Sequence, residues 1–291
     1  MTGVFVANVV FAASLNLITQ AIQIGAYAAR FAGVTTRRVA TAISLFSLLV
    51  TASRLASLFM TPALGSIADG TANAAIAEHP HVPLKVLQVS PAALHVFDLQ
   101  MRVIVAGGSA GILLGAFLLP MFLQMFVRGI GAFERLGSVP HALTRLFDPR
   151  VIRDLLYELR PRAISIAQFP LSAVPRRLLI ANMVLFAVYA VGVVASYYAS
   201  VIDLGARTTA TGLSGLVNGI GTIAFSLFID PTTAFIVDQT VRDERPTSDV
   251  WTMIFWLIVT AFIGTLLAQI ILFPAAEYIA WFANHWPHGK T

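Results

Sequence analysis

Six long apolar runs constrain the fold of this chain more than any other feature of its sequence. A membrane-spanning α-helix needs about 20 consecutive apolar residues, and each run is long enough. Composition agrees, because 57% of the 291 residues are hydrophobic and 11% are charged, whereas a soluble domain carries roughly a quarter charged residues. We therefore predict an all-α, polytopic membrane protein with about six transmembrane helices in one integral membrane domain, residues 1–291. The predicted spans are residues 4–31, 39–67, 101–127, 178–202, 206–229 and 251–280.

The distribution of basic residues predicts the orientation of the spans. Most of the 19 Lys and Arg residues lie in the loops that follow the first, third and fifth spans. Cytoplasmic loops carry an excess of Lys and Arg, so both termini are expected to face away from the cytoplasm. The first span has no basic residue before it and no small-residue cleavage pattern, so we expect it to remain in the mature protein rather than act as a signal peptide.

Residues 128–177 form a long basic loop that is predicted to be cytoplasmic. Within it, residues 149–160 place apolar side chains on one stripe of a helix and charged ones elsewhere, which predicts a helix lying flat on the membrane. The net charge of +5 therefore points to anionic membrane lipids as partners and gives no indication of nucleic-acid binding.

Three loop positions predict the start of short helices. Residues 90–91 are Ser-Pro, and residues 148–149 and 230–231 are Asp-Pro. Each pair offers a side-chain acceptor at the N-cap and a proline at the first helical position, where its missing N–H costs nothing.

The first two spans carry polar side chains at helical spacing. In the first span, five polar residues follow one another at steps of four and three positions, which places all of them on one face of the helix. In the second span, Ser44, Ser47, Thr51 and Arg54 follow the same kind of spacing. Arg54 lies about 24 Å beyond Arg38 along the helix, in the outer half of a roughly 30 Å hydrocarbon layer. The polar set of the first span is Asn16, Gln20, Gln23, Tyr27 and Arg30.

An arginine at this depth needs a partner, because inserting it costs at least about 2.5–3.5 kcal/mol. No acidic residue lies evidently within a span to pair with Arg54. One interpretation is that Arg30 and Arg54 line a hydrophilic cavity and that an anionic ligand supplies the missing charge, since a guanidinium binds two phosphate oxygens at once. The alternative is that Arg54 extends to the outer interface and the amides of the first span bond neighbouring helices. We favour the cavity, because five aligned polar residues exceed what helix packing usually needs.

Glycines in two spans suggest close helix packing. Gly215 and Gly219 have the spacing of a helix face that packs closely on a neighbouring helix. We give equal weight to a second interpretation, in which Asn218 between them lines a cavity. The glycines of the third span lack polar neighbours, which favours packing alone; they are Gly107, Gly108, Gly111 and Gly115.

Other site chemistries find no support in the sequence. His79 and His81 have neither the partners nor the spacing of a metal site. The sequence contains no phosphate-binding glycine loop, no nucleophile elbow and no pair of acids within a span. We predict no catalytic residue, no metal and no cofactor.

Two stretches of the chain resemble the Amj family, the lipid II flippases described as alternates to MurJ. The first is AYAARFAGVTTRR at residues 26–38, with residues 44–46, Ser53-Arg54 and PALG at 62–65. The second is GLVNGIGT at residues 215–222, with FIDP at 228–231 and Asp238.

The resemblance implies a multi-pass protein of the bacterial cytoplasmic membrane that moves undecaprenyl-diphosphate-linked peptidoglycan precursor, lipid II, from the inner to the outer leaflet through an arginine-lined polar cavity. It implies that Arg30 meets the diphosphate near the cytoplasmic face and that Arg54 receives it in the outer half. Two alternatives stay open: a membrane-embedded enzyme acting on polyprenyl phosphates, and a structural scaffold working as a homo-oligomer. The remaining residues that would bond the sugars or line the path are Asn16, Gln20, Gln23, Tyr27, Asn218 and Thr222.

Overall fold

The computed structural model describes residues 2–137, 153–154 and 166–286, without the side chains of residues 2–5, 52, 54–57, 136 and 218. All regular structure in this part of the chain is helical. A π-helical turn, Phe225–Ile229, joins the sixth helix directly to the seventh. Short 3₁₀ turns occupy Ile166–Gln168, Leu171–Ala173 and Leu204–Ala206. The α-helices are α1 (Thr2–Thr36), α2 (Val39–Glu78), α3 (Pro91–Phe117), α4 (Leu119–Leu136), α5 (Arg176–Ile202), α6 (Arg207–Ala224), α7 (Asp230–Val241) and α8 (Thr247–His285).

Five helical segments of the described residues are long and apolar enough to cross a membrane. A shorter apolar helix, Val39–Thr51, forms the first part of α2. The prediction of an all-α, polytopic membrane protein is therefore confirmed. The five segments are Val6–Thr36, Pro91–Phe117, Arg176–Ile202, Leu204–Val241 and Thr247–His285.

The third span differs from its predicted bounds at both ends. Helix α3 begins at Pro91, where the Ser90 side chain accepts a hydrogen bond from the Ala93 backbone N–H at 3.4 Å. The predicted helix start at 90–91 therefore opens the span itself and not a short helix. The predicted continuous run over 101–127 is wrong, because α3 ends at Phe117 and α4 begins two residues later. Pro120 in the first turn of α4 has no N–H with which to continue the hydrogen bonding of α3.

A short helix does begin at Asp230, as predicted, since α7 spans Asp230–Val241, but Ile229 holds the N-cap position and no side chain caps the helix. Asp230 has helical dihedral angles, φ −60° and ψ −45°, and its backbone N–H donates to the Phe225 carbonyl across the π-helical turn. The chain passes from α6 through the π-helical turn into α7 without a loop. Asp230 therefore does not act as the N-cap of a separate helix. Its side chain pairs with Arg30 instead.

Most of the predicted basic loop lies outside the described residues. This includes the helix start at 148–149 and nearly all of the interfacial helix predicted at 149–160. Helix α4, which opens the loop, packs on α1 and α2. Arg38 at the start of α2 pairs with Glu134 of α4 at 2.6 Å, which ties α4 to the end of the bundle where the α1–α2 turn lies.

Glycines bring α1 and α3 into close contact, as predicted for the third span. A β-carbon at Gly107, Gly111 or Gly115 would collide with the α1 backbone, so these positions require a residue without a side chain. The packing interpretation of Gly215 and Gly219 is not confirmed. A β-carbon at either position would meet nothing within 4 Å among the described residues, so this face of α6 is open.

Candidate functional site

A cavity of about 740 Å³ lies inside the bundle, and its wall carries both polar and apolar side chains. Its walls come from α1, from the middle of α2, from α5, and from α6 together with the π-helical turn that follows it. Three of these walls belong to segments that are long and apolar enough to cross a membrane, Val6–Thr36, Arg176–Ile202 and Leu204–Val241. The polar and charged residues in its wall are Asn16, Thr19, Gln20, Gln23, Tyr27, Arg30, Ser53, Thr61, Tyr189, Thr222, Ser226 and Asp230.

The polar face predicted for the first span forms one wall of this cavity. The helical period places all of its members, from Asn16 to Arg30, along the same side of α1. Thr222 reaches the cavity from α6. Arg54 and Asn218 lie within α2 and α6, but their side chains are outside the described part. Their chain neighbours Ser53 and Gly219 line the cavity.

Two polar atoms in the α1 wall have no hydrogen-bond partner within the described part of the protein. They are Thr19 Oγ1 and Gln20 Oε1, on residues that are 8% and 3% exposed. A buried acceptor that is left unpaired costs about 1–3 kcal/mol, so native proteins rarely keep one without a reason. Both residues line the cavity, so these two acceptors belong to its wall.

Other members of the α1 face also contact neighbouring helices. The Asn16 amide donates to the Ile104 carbonyl of α3 at 2.9 Å. The Tyr27 hydroxyl donates to Asn182 Oδ1 of α5 at 3.4 Å, and the Asn182 amide in turn donates to the Leu257 carbonyl of α8 at 2.9 Å. Asn16 and Tyr27 therefore bridge helices in the way that the packing interpretation predicts, while they also line the cavity.

Arg30 is paired within the cavity by a residue that the sequence reasoning did not assign to the site. Its Nη2 lies 2.5 Å from Asp230 Oδ1, and the two side chains are 18% and 52% exposed. The Arg30 guanidinium also lies 5.9 Å from the centroid of the Tyr27 ring, within the range of a cation–π contact. The Asp-Pro pair at 230–231 suggested a helix cap, and no sequence signal linked Asp230 to α1.

Two features of the structure indicate that the cavity opens sideways between α2 and α6. These two helices do not pack extensively against each other over the part of the chain that the structure describes. Leu58 of α2 and Ile223 of α6 both line the cavity, and they are 64% and 61% exposed. Apolar side chains exposed on membrane-spanning helices face lipid tails. The opening therefore has apolar edges and leads from lipid to a polar interior.

The sequence of this chain is similar to that of known proteins over nearly its full length. The family model described as Amj, alternate to MurJ, matches residues 15–283. A relative from Bacillus subtilis (strain 168), named lipid II flippase Amj, is 30% identical over 281 residues, which cover 96% of this chain and 97% of that protein. No solved structure matches the chain. Because the family model and this relative both span almost the whole bundle, cavity included, the chain belongs to the Amj, or alternate to MurJ, family.

Proposed function

We propose that this protein is a flippase that moves lipid II from the inner to the outer leaflet of the bacterial cytoplasmic membrane. The family and the relative named lipid II flippase support this function. The structural observation that carries it is the polar cavity with an opening toward lipid between Leu58 and Ile223. Such a cavity suits a substrate with a polar head and an apolar tail better than it suits a wholly soluble or wholly apolar one.

The physical problem is the head group of the substrate. Its diphosphate, sugars and peptide cannot enter hydrocarbon unaided, because burying ionised and hydrogen-bonding groups without partners costs many kcal/mol. A cavity with polar walls replaces water as the partner of these groups. The lateral opening leaves the polyprenyl tail in the bilayer throughout the passage.

The cavity size limits what can be enclosed at one time. About 740 Å³ falls among the pockets of about 300–1,000 Å³ that hold drug-sized ligands. A diphosphate with an adjoining sugar fits this volume, whereas a whole disaccharide-peptide head is larger. The helices around the cavity must therefore separate during transport, as in the alternating-access cycles of other transporters.

In this proposal the two arginines act at different depths. Arg30 binds the diphosphate near the cytoplasmic face, and Arg54 receives it in the outer half of the membrane. Gln20 offers its unpaired acceptor to hydroxyl or amide donors of the sugars. The other proposed lining residues are Asn16, Gln23, Tyr27, Asn218 and Thr222.

Two further features of the proposal concern partners. Anionic lipids would contact the cytoplasmic rim, where Arg37 and Arg38 are largely exposed, because negatively charged head groups attract basic residues near the surface. Homo-oligomerisation stays a prediction, with the open glycine face around Gly215 as the surface to examine.

The proposed roles of the arginines can be tested in proteoliposomes by measuring how much lipid II becomes accessible in the opposite leaflet. Arg30→Ala and Arg54→Ala should each abolish transport while the protein stays folded. Arg54→Lys should also impair it, because an ammonium cannot bind two oxygens in the fork geometry of a guanidinium.

Arg37→Ala is the matched control. Arg37 also lies near the end of α1 and pairs with an aspartate, Asp243, at 2.9 Å, but it does not line the cavity. This variant should transport normally. Full activity of both Arg30→Ala and Arg54→Ala would refute the assigned roles, and chemical turnover of a polyprenyl phosphate would favour an enzyme instead.

A further inference from the structure

The Arg30–Asp230 ion pair occupies the place where the substrate's phosphate is proposed to bind. Both residues line the cavity, and their charged atoms are 2.5 Å apart. The guanidinium is mostly buried, whereas about half of the Asp230 side chain is exposed. The carboxylate is therefore the more accessible of the two partners and the easier one to displace.

The local backbone explains how Asp230 reaches the cavity. It directly follows the π-helical turn Phe225–Ile229, whose residues Phe225, Ser226 and Ile229 also line the cavity. A π-helical turn adds a residue to the helix and changes the direction of every side chain after it, and such turns are frequent at functional sites. The next residue, Pro231, has no N–H to donate, which weakens the helix further at this point.

We propose that Asp230 competes with the diphosphate of the substrate for Arg30, so that binding proceeds by exchange of one anion for another. This inference rests on the proposed function. Carboxylate and phosphate oxygens are both charged acceptors for a guanidinium. In the empty cavity Asp230 neutralises Arg30, and the substrate then displaces Asp230. On release Asp230 returns to Arg30 and keeps the diphosphate from remaining bound.

The exchange sets the affinity of the site for its anion. An incoming anion must compete with a carboxylate already in contact with Arg30. Because this competition lowers the apparent affinity of every anion for Arg30 by the same factor, Asp230 controls how long the substrate stays bound and does not choose between anions.

The test measures binding directly, with the full chain in nanodiscs. The probes are farnesyl diphosphate, farnesyl monophosphate and inorganic pyrophosphate. Asp230→Asn should bind farnesyl diphosphate about tenfold more tightly than the natural protein, as expected if the ion pair blocks Arg30 for nine-tenths of the time. The affinity for farnesyl monophosphate should rise by a similar factor, and transport of lipid II should slow because release becomes limiting.

Two variants serve as controls. Asp243→Asn removes a carboxylate that pairs with Arg37 outside the cavity and should leave binding unchanged. Asp230→Glu keeps the competing charge and should not give the tenfold gain in affinity. Inorganic pyrophosphate should bind more weakly than farnesyl diphosphate, and equal binding would assign the site to free diphosphate instead of a lipid-linked one.

Arg30→Ala separates this inference from the proposed function. One outcome would overturn the competition model alone. In it, the natural protein binds farnesyl diphosphate and Arg30→Ala does not, but the affinity of Asp230→Asn is unchanged or lower. The role of Arg30 would then still stand. If the natural protein does not bind the probe, or Arg30→Ala binds normally, both are overturned. When Asp230→Asn is combined with Arg30→Ala, it should not increase the affinity for farnesyl diphosphate, because its effect acts through Arg30.

Discussion

Gln20 is a residue at which stability and function are expected to conflict. Its buried Oε1 has no hydrogen-bond partner among the residues that the structure describes. Gln20→Met keeps the side-chain length and removes the unpaired acceptor, so the free energy of unfolding should rise by about 1 kcal/mol. Lipid II transport should fall at the same time, because a head-group donor loses its acceptor. Thermal unfolding in detergent and a leaflet-exposure assay measure the two effects.

Ser109 provides the matched comparison for Gln20. Its hydroxyl is also buried without a partner among the described residues, but Ser109 does not line the cavity. Ser109→Ala should stabilise the protein and leave transport unchanged. A Gln20→Met variant that transports normally would show that the unpaired acceptor is only a cost to folding.

Residue-level prediction from the sequence worked along one helix and failed between helices. The spacing from Asn16 to Arg30 was enough to predict a shared polar face, since the helical period fixes relative direction. The partner of Arg30 could not be found in this way, because Asp230 is 200 positions away in the chain. Thr19 was missed although it lies three residues after Asn16, because the pattern continued from Asn16 to Gln20 instead.

At the scale of whole helices, two glycine positions should respond differently to the same change. Gly111→Ala would place a methyl group against the backbone of α1, and such overpacking typically costs about 1–3 kcal/mol. Gly215→Ala would meet open space and should raise helix stability by up to about 1 kcal/mol. Thermal unfolding of both variants in detergent tests the pair. Equal destabilisation would contradict the close α1–α3 contact.

The existence of the helices was predictable from hydrophobicity, but their ends and joints were not. Long apolar runs have few alternatives to a membrane span, because hydrocarbon leaves backbone groups no other partner. The break before Pro120 and the π-helical turn at Phe225–Ile229 depend on local hydrogen bonding, which hydropathy does not report. The turn matters most, because it places Asp230 in the cavity.

At the scale of the whole molecule, ion pairs join helices at both ends of the bundle. At the end predicted to be cytoplasmic, Arg30 of α1 pairs with Asp230 of α7, and Arg37, which follows α1, pairs with Asp243, which follows α7. At the opposite end, Arg207 of α6 pairs with Asp69 of α2. Because α2 and α6 also line the cavity, the Arg207–Asp69 pair connects two of its walls at this end of the bundle.

The lateral opening predicts that joining α2 to α6 stops transport. The chain contains no cysteine, so Leu58→Cys and Ile223→Cys can be combined in the natural background and bridged with a short thiol-specific cross-linker that a reductant cleaves. Bridging should abolish lipid II transport, because the polyprenyl tail can no longer pass between the helices, and cleavage should restore it.

A second cysteine pair tests whether cross-linking itself is harmful. Val103 of α3 and Ile270 of α8 are both exposed on the surface of the bundle, and they adjoin the contact in which the Gln269 amide donates to the Arg102 carbonyl. Bridging these packed helices should leave transport intact, as should each single cysteine with the same reagent. Unimpaired transport after bridging of Leu58→Cys and Ile223→Cys would mean that the substrate enters elsewhere, because a lipid tail and a covalent bridge cannot share one opening.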